Sequence, residues 1–346
     1  MEVSQHNNKL QMAYIKSISY YLPQKNLTNE LINKDFPEWD IEKISSKTGI
    51  NSRHISEKDE FSSDMAYKVA NKLFVEHNID KDDIDFLLLC TQSPDYFLPT
   101  TACILQDRIG LKSSIGALDF NLGCSGYVYG LSLAKGLIKG QMAKNVLLIT
   151  SETYSKFIHK NDKSNKTIFG DAAAATLISA ESGIFEIDKF VFGTDGSGYE
   201  NLIVKNGGMR HPMNQISEDI VDNYGNTHNA NNLYMNGPEI FNFTSEFVPK
   251  LTDSILEKAG LTKHNIDLFI FHQANKFMLN FLRKKIRIPK EKFFVSMEHC
   301  GNTVSSTIPI AIYDAMKQGR FINTKNIVLE GFGVGYSWAA CNLKLV

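Results

Sequence analysis

The sequence predicts an α/β fold assembled from two similar halves, and two observations support this prediction. Short apolar runs such as "FLLLC", "NVLLIT", "LFIF" and "NIVLEG" alternate with stretches of helical spacing. Runs of this kind, bounded by polar turns, are typical of central strands that helices cover on both faces. In addition, the two halves of the chain resemble each other at a fixed separation. A period this long indicates a duplicated α/β unit and not an array of short repeats.

The internal repeat is visible in two pairs of segments. Residues 79–90 read "IDKDDIDFLLLC" and residues 261–272 read "LTKHNIDLFIFH", so each carries Ile-Asp before an apolar strand. Residues 143–152, "AKNVLLITSE", match residues 324–333, "TKNIVLEGFG". The two pairs lie 182 and 181 residues apart, and helical stretches occupy corresponding places between them. Two matches in register therefore favour a pseudo-twofold pair of domains.

We place an N-terminal domain at residues 13–184 and a C-terminal domain at residues 185–346. The first strand begins at Ala13, and the polar residues before it predict a flexible extension without the apolar core of a signal peptide. No apolar stretch approaches the roughly 18–20 residues of a membrane span. Residues 205–234, rich in Gly, Asn and His, predict a long surface loop.

Composition narrows the class of protein. The chain has 346 residues, 43% of them hydrophobic and 22% charged, which argues against disorder. A net charge of −1 gives no reason to expect nucleic acid as a partner. The 5 cysteines are scattered and lack metal-type spacing, so we expect free thiols and a reducing, cytoplasmic compartment.

The first chemical candidate is Cys124, within "NLGCSGYVYG" at residues 121–130. The preceding "ALDFNLG" is typical of a strand, and the stretch after the cysteine has helical spacing. Unpaired N–H groups and the positive end of the dipole at a helix N-terminus stabilise a thiolate. A small buried cysteine fits the same position, so both interpretations stay open at this point.

Three further stretches place polar groups where predicted strands end. His272 closes the apolar run in "FIFHQANKFML" and is followed by Gln, Ala and Asn. Asn302 lies in "HCGNTVSSTIPIA", where it acts either as a helix cap or as a site residue. The glycines of "EGFGVGYSWAA" alternate, which is a weak signal alone. Because sites in such folds form at strand ends, these groups are expected to meet.

Taken in order, "GCSG", "HQAN", "GNT" and "GFGVG" resemble the signatures of the thiolase superfamily. More narrowly they resemble β-ketoacyl-acyl-carrier-protein synthase III, the initiating condensing enzyme of fatty-acid synthesis. "KTGINSRHI", "PTTACILQDRIG", "FGDAAAATLI" and "MNGPEIFNF" support the same resemblance, which covers nearly all of the chain from Ala13. It implies an α/β fold, the thiolase-like duplicated αβαβα five-layer sandwich, in a homodimer.

The resemblance also implies roles for single residues. Cys124 is the nucleophile that accepts an acyl group, and the backbone N–H groups of Cys124 and Val334 form the oxyanion hole. His272 and Asn302 complete the catalytic triad and stabilise the enolate left when malonyl on an acyl carrier protein loses CO₂. Acyl-coenzyme A and malonyl-carrier protein are the implied substrates. Neither a cofactor nor a metal is expected.

The predicted substrate-binding residues include departures from the family pattern; they are Lys47, Arg53, Leu98, Asn275 and Lys276. Lys47 holds the basic position of the coenzyme A site, but Lys43 stands where the family usually has tryptophan. Phe277 replaces an arginine that docks the carrier protein. Leu98 holds a position, often phenylalanine, that the partner subunit contributes to the acyl pocket, which favours a primer larger than acetyl.

Two alternatives to condensation remain open from the sequence. An acyltransferase on the same fold would use Cys124 to pass an acyl group to a hydroxyl or an amine, without needing an enolate site. A non-catalytic partner subunit of a heterodimer is the other alternative, which the intact set of Cys124, His272 and Asn302 disfavours. A thiolase proper would need a second cysteine in "GFGVG", and none is present.

Overall fold

The computed structural model describes residues 11–213, 216–223 and 225–346. The predicted N-terminal extension therefore lies almost entirely outside the described residues. The strands, in chain order, are β1 (Tyr14–Tyr21), β2 (Lys25–Thr28), β3 (Ser52–Ile55), β4 (Phe86–Cys90), β5 (Gly116–Phe120), β6 (Asn145–Glu152), β7 (Ala172–Ser179), β8 (Phe185–Thr194), β9 (Leu202–Val204), β10 (Ile220–Val221), β11 (Thr227–His228), β12 (Leu233–Met235), β13 (Leu268–Phe271), β14 (Phe293–Phe294), β15 (Asn326–Gly333) and β16 (Ser337–Leu345).

Helices separate most of these strands along the chain. They are α1 (Asn29–Asp35), α2 (Ile41–Thr48), α3 (Ser62–His77), α4 (Thr101–Ile109), α5 (Gly126–Lys139), α6 (Lys163–Ile168), α7 (Gly237–Ala259), α8 (Lys276–Ile286) and α9 (Thr307–Lys317). Within the predicted 205–234 loop, the described residues form a short β10–β11 hairpin and the start of β12, with no helix.

The main sheet has ten strands in the order β14-β13-β15-β16-β8-β1-β7-β6-β4-β5. The five strands on one side of the β8–β1 junction come from residues 185–345 and the five on the other side from residues 14–179, in mirrored order. Only two residue pairs join β1 to β8, whereas eight join β6 to β7. In the repeat that the sequence shows, β4 of the first half is therefore equivalent to β13 of the second, and β6 is equivalent to β15.

The predicted division after residue 184 falls between β7 and β8, and its status as a domain boundary stays a prediction.

The core is arranged in five layers. Buried residues of α5 and α9 pack between strands of both halves, and this central cluster includes Tyr127, Leu131, Ile308 and Ile312. Helices α3 and α4 cover the outer face of the first half, and α7 and α8 cover the outer face of the second. Because side chains alternate along a strand, the fully covered strands are apolar on both faces.

Arg53 is a structural residue, which corrects the prediction that it binds substrate. Its side chain is 0% exposed and has no face open to a ligand. One guanidinium nitrogen donates to Leu27 O at 3.2 Å and to Asn29 Oδ1 at 2.8 Å, and the other donates to Thr167 O at 2.9 Å. The planar fork of arginine thus joins β2, α1 and α6 to the strand that carries it.

In the part of the chain that the structure describes, no helix is long and apolar enough to cross a membrane. The same residues contain no group of three or more His, Cys, Asp or Glu side chains placed to hold a metal ion.

Replacing Arg53 with lysine should lower the free energy of unfolding by about 2 kcal/mol, since one ammonium group cannot reach all three acceptors and buried acceptors are left unsatisfied. Equilibrium denaturation in urea measures the effect. The matched control is Arg320→Lys, because Arg320 donates to a backbone carbonyl near the surface. That control should change stability by less than about 0.5 kcal/mol. Equal stability of the two variants would contradict the structural role of Arg53.

Candidate active site

Cys124 lies in the turn that joins β5 to α5, where β15 approaches it closely. A Cβ added at Gly331 would lie 2.7 Å from the Cys124 carbonyl oxygen, and one added at Gly333 would lie 2.9 Å from Cys124 Sγ. Because side-chain directions alternate along a strand, the Cβ positions at these two glycines lie on the same face of β15. The alternating glycines of "GFGVG" are therefore required for backbone approach to the cysteine.

The Cys124 thiol is neutral in the free protein. Its side chain is 6% exposed, and burial raises its pKa to about 12, with the nearby Glu152 carboxyl adding to the rise. The N–H groups of Cys124 and Val334 lower the pKa, but by less than burial raises it. Of the two interpretations that the sequence left open, the raised pKa favours a buried, neutral thiol in the free protein.

The two N–H groups predicted to form the oxyanion hole converge on the sulfur. Both the Cys124 and the Val334 backbone N–H act as hydrogen-bond donors toward the thiol. The Val334 side chain packs over the turn, since a Cβ added at Gly123 would lie 2.5 Å from Val334 Cγ1. When the sulfur bonds to a carbonyl carbon, the oxygen on that carbon lies close to the sulfur. The two N–H donors are therefore near this oxygen as well. The arrangement suits an acyl-thioester intermediate on Cys124.

His272 follows β13 and is fixed at both its backbone and its ring. Its backbone N–H donates to Glu330 O at 2.7 Å, and its Nδ1 lies 2.7 Å from Thr307 Oγ1. The side chain is 2% exposed, and burial lowers the pKa of the imidazole to about 3. The ring is therefore neutral, as a proton acceptor must be.

Asn302 faces His272 across a short gap. Its Nδ2 lies 3.5 Å from His272 Nε2, and its Oδ1 accepts the Val304 N–H at 2.9 Å. The Asn302 backbone forms a parallel bridge with Phe169, because its N–H donates to Ile168 O at 2.9 Å. Asn302 therefore does not cap α9; its carboxamide is held with the amino group toward the histidine.

Cys124 belongs to a small apolar cluster of buried side chains. Its buried members besides the cysteine are Tyr154, Phe169, Leu202, Leu233 and Val304. Because Val304 also bonds Asn302, the cluster connects the cysteine to the His272–Asn302 pair. Aromatic and aliphatic side chains packed beside a nucleophile suit an acyl chain better than a polar substrate.

Glu152 is a buried acid beside Cys124 that reasoning from the sequence missed. It is 0% exposed, accepts the Gln92 N–H at 3.0 Å and the Ser305 hydroxyl at 2.8 Å, and burial raises its pKa to about 8. Tyr154 Oη donates to Gln92 Oε1 at 2.5 Å in the same group. An acidic residue that ends the apolar run "NVLLITSE" was the available signal.

Three predicted substrate-binding residues lie together at the surface. The end of α2 packs on the start of α8, since a Cβ added at Gly49 would lie 2.5 Å from Lys276 Cβ, and Lys47 is exposed on the last turn of α2. Asn275 caps α8 by accepting the Met278 N–H at 2.8 Å. It also lines a cavity of about 360 Å³ with the exposed Phe277.

The remaining predicted substrate-binding residue, Leu98, lies at the surface of the single chain. Leu98 is 82% exposed in the single chain, next to the exposed Tyr96 and Phe97. It therefore lines no buried acyl pocket within one protomer.

Comparison with known proteins gives a consistent result over nearly all of the chain. The 3-oxoacyl-[acyl-carrier-protein (ACP)] synthase III profile matches residues 118–196, and its C-terminal counterpart matches residues 256–345. A β-ketoacyl-[acyl-carrier-protein] synthase III of Clostridium perfringens is 35% identical over 325 residues, which is 94% of this chain and 97% of that protein. One from Campylobacter fetus is 36% identical over 336 residues, which is 97% of this chain and 99% of that protein.

The fold comparison agrees. A crystal structure of a 3-oxoacyl-(acyl-carrier-protein) synthase III superimposes with a TM-score of 0.94 at 50% sequence identity, covering 96% of this chain and 100% of that one. The predicted α/β, thiolase-like fold is thereby confirmed.

Alkylation of Cys124 by iodoacetamide should accelerate by about tenfold per pH unit between about pH 7 and pH 10, because the thiolate fraction of a group with a pKa of about 12 grows in that proportion. Mass spectrometry of the peptides measures the alkylation of each cysteine separately. The exposed Cys103 is the internal control that shows the reagent is active. A Cys124 rate that levels off near neutral pH would reveal a stabilised thiolate and contradict the neutral thiol.

Proposed function

The chain belongs to the β-ketoacyl-[acyl-carrier-protein] synthase III family of condensing enzymes, and we propose that it condenses an acyl primer held on Cys124 with malonyl carried by an acyl carrier protein. The observation that carries the proposal is the convergence of two backbone N–H donors on the Cys124 thiol beside a paired His272 and Asn302. The product is a β-ketoacyl thioester for fatty-acid or related acyl synthesis.

Acylation begins from a neutral thiol and a neutral imidazole. The Cys124 sulfur attacks the carbonyl carbon of the primer thioester while His272 Nε2 takes the thiol proton. The oxygen that becomes negative accepts from the N–H groups of Cys124 and Val334, which already face the sulfur. The intermediate then collapses, the donor's C–S bond breaks, and Nε2 returns the proton to the leaving thiolate.

Condensation needs a place for the enolate of the malonyl thioester. When the carboxylate leaves as CO₂, its bonding electrons form the enolate, whose oxygen becomes negative. Asn302 Nδ2 and His272 Nε2 lie 3.5 Å apart, so an oxygen about 2.9 Å from both fits between them. Asn302 donates from its amide, and His272 donates when Nε2 carries a proton. The enolate carbon then attacks the acyl carbon, and the bond from that carbon to the Cys124 sulfur breaks. The Cys124 thiolate that leaves takes a proton from solvent.

The substrate surface supports a carrier protein and a phosphorylated thioester arm as ligands. Lys47 and Lys276 lie where α2 meets α8, and the last turn of α8 adds Arg283, Lys284 and Lys285. Positive charges of this kind steer association with an acidic partner. Lys43 is exposed on α2 without an aromatic ring, so coenzyme A would bind here without the usual adenine stacking.

A homodimer belongs to the same proposal. The exposed Tyr96, Phe97 and Leu98 form an apolar surface, and β5 is an edge strand of the main sheet. Exposed edges and apolar patches are commonly covered by a second subunit. Leu98 of one copy would then line the acyl pocket of the other, and its small size supports a primer larger than acetyl.

A cytoplasmic location is proposed from the 5 free cysteines.

Replacing Asn302 with alanine should leave the rate of Cys124 acylation within about threefold, while decarboxylation of malonyl-carrier protein falls by about 10² to 10³, because an oxyanion donor is lost. His272→Ala should slow both steps, since the base for the thiol is also lost. Stopped-flow acylation and release of labelled CO₂ measure the two steps separately. Acyl transfer to a hydroxyl or an amine, with decarboxylation absent even in the parent protein, would favour the alternative acyltransferase.

A further inference from the structure

Four hydrogen bonds connect Asn302, His272, Thr307 and Val304 in a closed ring. Their lengths are 3.5 Å for Asn302 Nδ2 to His272 Nε2, 2.7 Å for His272 Nδ1 to Thr307 Oγ1, 3.0 Å for Thr307 Oγ1 to Val304 O, and 2.9 Å for Val304 N to Asn302 Oδ1. We propose that Thr307 is a positioning residue that holds the His272 proton on Nδ1 and leaves the Nε2 lone pair free to take the Cys124 proton. The inference rests on the proposed function of Cys124 and His272.

The direction of the bonds on one side of the ring follows from Thr307. A carbonyl oxygen only accepts, so the single hydroxyl proton of Thr307 points to Val304 O. Toward His272 the same oxygen then offers a lone pair, and Nδ1 must be the donor. A neutral imidazole with its proton on Nδ1 has an unprotonated Nε2.

The other side of the ring leads independently to the same tautomer. The Val304 N–H can only donate, so the atom of Asn302 that it meets is the carbonyl oxygen Oδ1. The Asn302 amino group is therefore turned toward His272, where it meets Nε2 as a donor. A proton on Nε2 would place two donors face to face, whereas a lone pair there accepts the amide.

Val304 closes the ring in a backbone conformation that a β-branched residue seldom adopts, with φ of 56°. Buried hydroxyls on both following residues hold this conformation. Ser305 Oγ donates to Glu152 Oε1 at 2.8 Å, and Ser306 Oγ lies 2.8 Å from Thr150 Oγ1. Strain of this kind persists only where the surroundings fix it, and here it directs the Val304 N–H at Asn302.

The tautomer has a direct consequence for acylation. The Cys124 proton moves to Nε2 as the sulfur–carbon bond forms, and it leaves with the departing thiolate as the donor's bond breaks. The Nδ1 proton stays on Nδ1 throughout acylation, so the imidazole ends that step as it began. For condensation, Nε2 must then gain a proton, because only a protonated Nε2 donates to the enolate oxygen. No proton has to be exchanged through the buried face of the ring, where Thr307 is 2% exposed.

Thr307→Val keeps the shape of the side chain and removes the hydroxyl, so the His272 proton should move to Nε2 and the rate of acylation should fall by about tenfold. Thr307→Ser keeps the hydroxyl and should stay within about threefold of the parent. The matched control is Thr244→Val, because Thr244 is a buried helical threonine whose hydroxyl donates to carbonyls of its own helix. In a Cys124→Ala background, malonyl decarboxylation by Thr307→Val should not fall, since Nε2 then carries a donor proton.

The tautomer itself is measured in free protein labelled with ¹⁵N in its histidines. Long-range ¹H–¹⁵N spectra distinguish the two neutral tautomers, and His272→Gln assigns the signal. The proposal expects Nδ1–H in the parent and in Thr307→Ser, and Nε2–H in Thr307→Val. Nε2–H in the parent, an unchanged tautomer in the valine variant, or no rescue by serine would overturn it. Absence of acylation by every thioester would defeat the proposed function, while the spectra would still decide the tautomer.

Discussion

Burial of Cys124 and His272 is the constraint on which the chemistry of this site depends. Burial raises the pKa of the thiol to about 12 and lowers that of the imidazole to about 3, so the free protein holds neither as an ion. The pair therefore differs from a preformed thiolate–imidazolium pair, and attack requires the proton to move as the new bond forms. For the proposed acyl intermediate, the same burial would keep water from the primer on the sulfur and would strengthen each hydrogen bond to the developing oxyanion.

The duplicated fold explains how the parts of this site meet. The first half contributes Cys124 at the start of α5, and the second contributes His272 after β13, Asn302 before α9 and the glycines of β15. Helices α5 and α9 share the central layer, so the segments leading into them lie side by side. Under the proposed function, neither half alone contains both the nucleophile and the enolate site, so the contact between the halves is part of the proposed mechanism.

The sequence predicted the elements that depend on local patterns and on motifs. Apolar runs located β4, β6, β13 and β15, and four short motifs located Cys124, His272, Asn302 and Val334. What it could not supply depends on contacts far apart in the chain. The protonation state of Cys124 results from burial by many segments, and the role of Arg53 results from acceptors 24 to 114 residues away. Thr307 belongs to no motif, because its bond to His272 exists only in the folded chain.

The central claim is that Cys124 carries the acyl group, and intact-protein mass after incubation with a panel of acyl-coenzyme A and acyl-carrier-protein thioesters tests it most directly. The account predicts a mass increase equal to one acyl group, lost in Cys124→Ala, with the largest yield for a primer longer than acetyl. The same increase in Cys124→Ala, or no increase with any thioester, would contradict it.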